Sequence, residues 1–266
     1  MICTLGDLLL DVVVRLEGPI AEDTDTYGRT KVGAGGQAAN VAAWVAALGG
    51  EARFIGKRAR DPAGSLVAGE MARRAVDIVG PLVESGTGTV VSIATPDGKR
   101  TMLSDRGVAV ELGATEVDEG WFADCERLHL PVYSLVTTPI RGAAMSAAAL
   151  APRVSLDLSS TAAVEAAGVD SVRATVAELR PDVVFANEEE AALVGELGVP
   201  TFVVKRGSRG CAVRTGGSEQ EYPAEPAGVV DSTGAGDAFA AGFLLGGPEL
   251  ALSAAARCVS TMGAMP

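Results

Sequence analysis

The chain has 266 residues, 48% of them hydrophobic, and a formal net charge of −12. That apolar fraction fills a sizeable core without staples, and the acidic balance excludes a general nucleic-acid binder, whose affinity rests on neutralising phosphates. Cys3, Cys125, Cys211 and Cys258 lie far apart and form no CxxC pair, so neither a zinc site nor a disulfide framework is expected and the compartment reads as reducing cytoplasm.

The opening MICTLGDLLLD reads as a buried strand over 2–5. It lacks the basic start and cleavage site of a signal peptide, and no apolar run reaches about 18 residues, so no membrane partner is expected. Residues 11–32, DVVVRLEG followed by TYGRTKV, read as a strand pair with no crossover helix. After Gly36, Val41, Trp44, Val45 and Leu48 fall at i, i+3, i+4 and i+7 and Gly49 follows, which predicts an amphipathic helix with Trp44 in the core. ARFI (52–55) reads as a strand. Residues 89–104 read as a second strand pair turning at PDG. RLHL (127–130), RVSLDL (153–158), DVVFAN (182–187) and TFVVK (201–205) then return as β-branched runs between Ala-rich stretches. Such alternation predicts an α/β fold with a mostly parallel sheet covered on both faces. The two strand pairs would add a small β-flap at one edge, and no linker or composition shift divides residues 1–266.

GAGGQA (33–38) fits the dinucleotide pattern GxGxxA, but that fingerprint must leave the first strand of a βαβ unit directly, and here a flap-like segment intervenes. GxxxxGK[ST] is absent. DSTGAGDAFAAGF (231–243) is more informative, because Gly234, Ala235 and Gly236 leave backbone N–H groups bare at the mouth of an apolar helix, where they can bind an anion. Asp237 directly behind them would repel that anion. The arrangement makes sense if the carboxylate takes a proton from a hydroxyl that attacks the anion.

With these motifs the sequence resembles the ribokinase-like carbohydrate kinases of the phosphofructokinase-B type. DSTGAGDAFAAGF is similar to that family's C-terminal signature and GAGGQAANVA (33–42) to its N-terminal one, while NEEE (187–190) and KRGSRG (205–210) match its NxxE element and nucleotide loop. The resemblance implies a three-layer αβα sandwich with a small β-sheet lid within about 11–32 and 89–104, and transfer of the γ-phosphoryl of ATP to a hydroxymethyl group of a sugar or sugar-like compound. It implies Asp237 as general base and the amides of Gly234, Ala235 and Gly236 as the anion hole. Asp11, Gly35, Gly36 and Asn40 would meet the acceptor, with Arg106 as a further contact. Asn187, Lys205, Gly207 and Gly210 would meet the nucleotide, and Asn187 with Glu190 would hold Mg²⁺ partly through water. Asp231 and Thr233 match positions that frame a monovalent cation such as K⁺ in many relatives, and a homodimer through the lid is a further expectation.

Each residue also has a plainer reading. Asp237 could be only a helix-start charge, though a cap alone does not call for three small residues before it, Glu190 a first-turn acid beside Glu188 and Glu189, and Lys205 or Arg106 a solvated cation. His129, the single histidine, sits in an apolar run and reads as core. Relatives usually continue beyond the position of Pro266, which implies a shortened adenine wall and cation site, and Pro131–Val132 stands where relatives carry smaller residues near the acceptor. A kinase-fold sensor without turnover, or a nucleoside kinase, remains the competing expectation; 4% aromatic residues favours sugars over nucleobases.

Overall fold

The computed structural model describes residues 1–97 and 100–266. In chain order its strands are β1 (Ile2–Leu5), β2 (Leu9–Leu16), β3 (Gly28–Gly35), β4 (Ala52–Ile55), β5 (Arg58–Ala59), β6 (Asp77–Val79), β7 (Leu82–Val83), β8 (Thr87–Ala94), β9 (Arg100–Gly107), β10 (Arg127–Pro131), β11 (Val154–Asp157), β12 (Val183–Asn187), β13 (Thr201–Lys205), β14 (Cys211–Thr215) and β15 (Ser218–Tyr222). The helices are α1 (Gln37–Ala47), α2 (Pro62–Arg73), α3 (Tyr133–Val136), α4 (Ile140–Leu150), α5 (Thr161–Ala167), α6 (Val169–Leu179), α7 (Glu188–Val194) and α8 (Ala235–Val259).

A nine-stranded sheet runs in the order β15-β14-β13-β12-β11-β10-β1-β4-β6, parallel from β13 to β6. The antiparallel β14–β15 hairpin closes one edge. β1 and β11 are buried at every residue, as parallel strands covered on both faces must be. One apolar layer joins α1, α2 and α8 to the sheet, and the other joins α3 to α7. These are the three layers expected from the alternation of strands and helices.

Both predicted strand pairs exist, as β2–β3 and β8–β9. They join through a parallel β2–β8 pairing into a second sheet, β3-β2-β8-β9. The turn expected at Pro96–Gly98 lies between β8 and β9, but Gly98 is outside the described residues.

α8 corrects the expectation about apolar length, since by length and composition it could cross a membrane. It is instead packed in the core with α1, and it is broken: Gly246 and Gly247 leave helical geometry, with φ −147° and +82°, just before Pro248. Phe239 and Phe243 from its first half hold Phe185 of β12 edge-on, at centroid separations of 6.4 and 5.4 Å. Full burial of one such side chain stabilises by about 1.5–3 kcal/mol.

Trp44 is in the core as its spacing predicts, 1% exposed, and its indole Nε1 donates to the Ala264 carbonyl at 2.8 Å. Trp44→Phe keeps an aromatic ring but leaves that buried carbonyl only the weak Cys258 thiol donor at 3.9 Å. Differential scanning calorimetry should show the melting temperature falling by about 2–6 °C, as expected for losing about 1–2 kcal/mol in a chain of this size.

Candidate active site

Asp237 lies in the first turn of α8, which starts after Gly234 at φ +78°. A side chain at 234 would be strained by that backbone conformation and would also collide with Ala264, 2.6 Å from the position of a Cβ. Gly234 therefore lets the C-terminal segment lie against the mouth of the helix. The first-turn amides of α8 have no partner inside the helix; Ala235 N reaches back to Ser232 O at only 3.4 Å.

The Asp237 carboxylate is 8% exposed and accepts a hydrogen bond from Asn40 Nδ2 at 2.8 Å. Burial pushes its pKa up to about 7; the Asn40 bond opposes the rise and the Asp157 charge adds to it. Asn40 is itself 6% exposed, and its Oδ1 has no hydrogen-bond partner among the described residues. A buried carbonyl left open beside a carboxylate is a place for a ligand hydroxyl, which can donate to either oxygen.

Asp11 on β2 crosses to Gly35 on β3. A Cβ at Gly35 would sit 2.1 Å from the Asp11 carboxyl, so only glycine allows that carboxylate against the backbone. Burial, with the neighbouring Asp7 charge, raises Asp11 to about 7. Gly36 then caps α1 at φ +97°, one turn before Asn40. Asp11, Gly35, Gly36, Asn40 and Asp237 thus form one continuous surface.

Arg106 is neither solvated nor free. It is paired with Asp7 and lies over the Tyr133 ring, 3.7 Å from its centroid. Asp7 also accepts from Ala38 N at 3.4 Å, at the start of α1.

On the other side of Asp237, Lys205 is mostly buried and paired with Asp157 at 2.7 Å. Burial presses its pKa down, but the charges of Asp157, Glu190 and Asp237 outweigh this and hold it above the ordinary lysine value. Its Nζ is 3.3 Å from where a Cβ at Gly236 would stand. A cation thus sits under the helix mouth, and the solvated reading of Lys205 is corrected.

Asn187 and Glu190 form a reciprocal cap on α7. Glu190 Oε2 accepts from Asn187 N, Glu190 Oε1 from Asn187 Nδ2, and Asn187 Oδ1 from Glu190 N, each at 2.8 Å. The cap explains both residues structurally. The Glu190 carboxyl is 1% exposed, and burial followed by the Asp157 charge raises its pKa. Asn187 pairs with Lys205 across β12–β13, which places the NxxE element beside the loop that carries Gly207 and Gly210. Arg206 and Arg209 bind that loop to Glu188.

Asp231 Oδ1 accepts from Thr233 N at 3.0 Å and from Thr233 Oγ1 at 2.7 Å, and Oδ2 accepts from Gly263 N at 3.0 Å. Arg100 of β9 donates to Thr233 Oγ1 and stands 4.0 Å from Asp231. The oxygens expected to frame K⁺ are therefore already held by N–H and O–H donors, and a protein cation lies against them.

His129 is fully buried, with Nδ1 on Ser155 Oγ at 3.0 Å. Burial lowers its pKa to about 4, so it is a neutral core residue, as its setting predicts. Asp7, Arg100, Tyr133 and Asp157 were not singled out from the sequence. Asp157 had a usable signal, a carboxylate inside a strand otherwise apolar enough to be buried.

A family model described as pfkB family carbohydrate kinase matches residues 1–265. An ATP-dependent ribose-1-phosphate kinase of Halopiger xanaduensis is 30% identical over 97% of this chain and 90% of its own length. Fructokinase-2 of Zea mays is 27% identical over 92% of this chain and 79% of its own. Among solved structures, adenosine kinase from Sinorhizobium meliloti superposes with a TM-score of 0.87 at 25% identity, covering 100% of this chain and 95% of that one. A putative ribokinase II from E. coli superposes with a TM-score of 0.88 at 22% identity, covering 99% and 94%. With the family model spanning nearly the whole chain and the sheet arranged as in the ribokinase-like neighbours, the chain belongs to the pfkB family of carbohydrate kinases, ATP-dependent enzymes that phosphorylate sugars or nucleosides.

Proposed function

We propose that this kinase moves the γ-phosphoryl of ATP to a hydroxymethyl group of a sugar or sugar-like acceptor, with Asp237 as the base. The observation that carries this reading is the pairing of a buried carboxyl of pKa about 7 with the open Asn40 Oδ1 beside it. Asp237 takes the hydroxyl proton as the acceptor oxygen bonds to the γ-phosphorus. The bond from phosphorus to the bridging oxygen breaks, and ADP leaves with that electron pair. The amides of Gly234, Ala235 and Gly236, with Lys205 beneath them, meet the negative charge on the transferring group. Asp11, Gly35 and Gly36 read the sugar hydroxyls, and Gly207 and Gly210 let the nucleotide approach the backbone.

Mg²⁺ fits the donor chemistry of Asn187 and Glu190 through its water shell, because the carboxylate keeps spare lone pairs beyond those in the cap. When bound it neutralises phosphate charge. We assign the sheet β3-β2-β8-β9 as a lid of a single 1–266 unit, closing over the acceptor so that water does not compete for the phosphoryl group.

A mixed acceptor panel of pentoses, hexoses, ribose 1-phosphate and nucleosides, read by ADP release, tests the activity and sorts the acceptor class. The ribose-1-phosphate kinase relative and the adenosine kinase neighbour place both phosphorylated sugars and nucleosides in that panel. A sensor without turnover would bind ATP and release no ADP with any member.

Asp237→Asn should lower turnover by about 10²–10⁴-fold while ATP affinity stays within a few-fold, because the backbone donors remain and only the proton acceptor is lost. Turnover above about a tenth of wild type would remove Asp237 from the role of base. In the wild type, kcat/KM should rise with pH to a plateau above about 7, as the Asp237 carboxyl ionises.

Stability should carry the opposite slope. Folded Asp237 keeps its proton up to about pH 7, whereas an ordinary aspartate releases it near 3.8. Between those values the folded chain binds more protons than the unfolded chain, so its stability declines as pH rises. Asparagine does not titrate. The melting temperature of Asp237→Asn relative to wild type should therefore be higher at pH 8 than at pH 4, and an equal difference at both would place the carboxyl in an ordinary, solvated setting.

A further inference from the structure

Three basic side chains of the small sheet cross to the segments on either side of α8. Arg15 of β2 donates to the Val230 carbonyl, Lys31 of β3 to the Met262 carbonyl at 2.6 Å, and Arg100 of β9 to Thr233 Oγ1. Carbonyl and hydroxyl oxygens are what a hard cation such as K⁺ would take as ligands. Here each has received a charged N–H donor.

Arg100 is the central member. Thr233 Oγ1 accepts from its guanidinium and donates onward to Asp231 Oδ1, whose second oxygen holds Gly263 N. Among the described residues, no other cation stands within 4.0 Å of Asp231. The next residue after Thr233 is Gly234, where the helix mouth begins.

We propose that Arg100 replaces the monovalent cation at Asp231 and Thr233, so that the small sheet supplies the positive charge that positions the mouth of α8. K⁺ then has no place to bind and no work to do. Arg100 is a positioning residue: it acts through Thr233 and Asp231 on the amides that follow. A cation fixed to the sheet also makes the arrangement of those amides depend on the sheet being seated. A diffusible ion would leave the two independent.

The test uses the full chain in KCl, NaCl and choline chloride at matched ionic strength, with melting temperature as a readout that needs no turnover. Wild type should melt at the same temperature in all three. Arg100→Ala removes the charge beside Asp231 and leaves Thr233 Oγ1 open to a cation, and K⁺ at about ten times its dissociation constant should then raise the melting temperature of that variant by about 3–6 °C over choline. Arg100→Lys keeps the charge and should behave as wild type. K⁺ stabilising the wild type over choline would overturn the proposal whether or not Arg100→Ala folds, and so would an Arg100→Ala variant indifferent to K⁺.

The turnover arm rests on the kinase reading above. With an acceptor in hand, wild-type kcat should be equal in K⁺ and choline, while Arg100→Ala should lose about tenfold, the worth of one charge-assisted hydrogen bond, and recover part of it in K⁺ alone. Absence of ADP release with every acceptor would overturn the kinase reading, and the melting comparison would still decide the role of Arg100.

Discussion

The hydrogen bond from Asn40 to Asp237 joins residues 197 positions apart, and most of the architecture serves to make it possible. Asn40 sits in the first turn of α1 and Asp237 in the first turn of α8, so the bond exists only if the two helices start side by side at the same end of the sheet. Trp44, one turn further along α1, ties that helix to Ala264 beyond α8, while Phe239 and Phe243 fix α8 against β12. The site is thus a junction between the two ends of the chain. Core packing on one side of the sheet holds it to hydrogen-bond tolerance.

Around that junction lie five largely buried carboxyls, a surprising number for a protein that handles a polyanion. Their environments divide them. Asp7 is paired with Arg106 and Asp157 with Lys205, while Glu190 is held by the Asn187 cap. Asp11 and Asp237, which have no cation within 4.0 Å among the described residues, are the two driven up to about 7. Separation of this kind assigns work. Carboxylates tied to a cation or to a helix cap brace the structure, whereas Asp11 and Asp237, which burial drives up, fall in the range where a group exchanges protons near neutrality.

Much of this was legible in the sequence. Six strands stand within a residue of where the β-branched runs place them, since a parallel strand buried on both faces leaves an unbroken apolar signature. The Gly-Ala-Gly-Asp stretch disclosed its helix mouth because only small residues leave amides bare. The β14–β15 hairpin was missed although Gly216–Gly217 forms its turn, both at positive φ, because its flanks are polar rather than alternating. Beside its placement at the nucleotide, Lys205 kept a plainer reading as a solvated cation, because its partner Asp157 lies 48 residues earlier. No local period reveals such a pair. Arg100 was invisible for the same reason, being one basic residue on an exposed strand whose partners lie 133 positions away.

The break in α8 has a wider meaning than a bend in a core helix. Twenty-five residues of unbroken helix would reach about 37 Å, yet Val259 at the far end accepts hydrogen bonds from Val230 and Asp231, just ahead of the near end, at 2.7 and 3.1 Å. Gly246 and Gly247 therefore fold the helix back on itself, and Gly242 is bare because the returning half at Leu250–Ala251 passes directly over it. The segment is a hairpin of two helices whose far tip points away from Asp237 while both its feet lie beside the loop that leads to Gly234. Its residue count is consequently part of the site: one residue added to the returning half would rotate everything beyond it by about 100°, swinging the Val259 carbonyl off the loop that leads to Gly234. Evolution can vary the surface of such a hairpin freely, but it can change the length only in whole turns or at the tip.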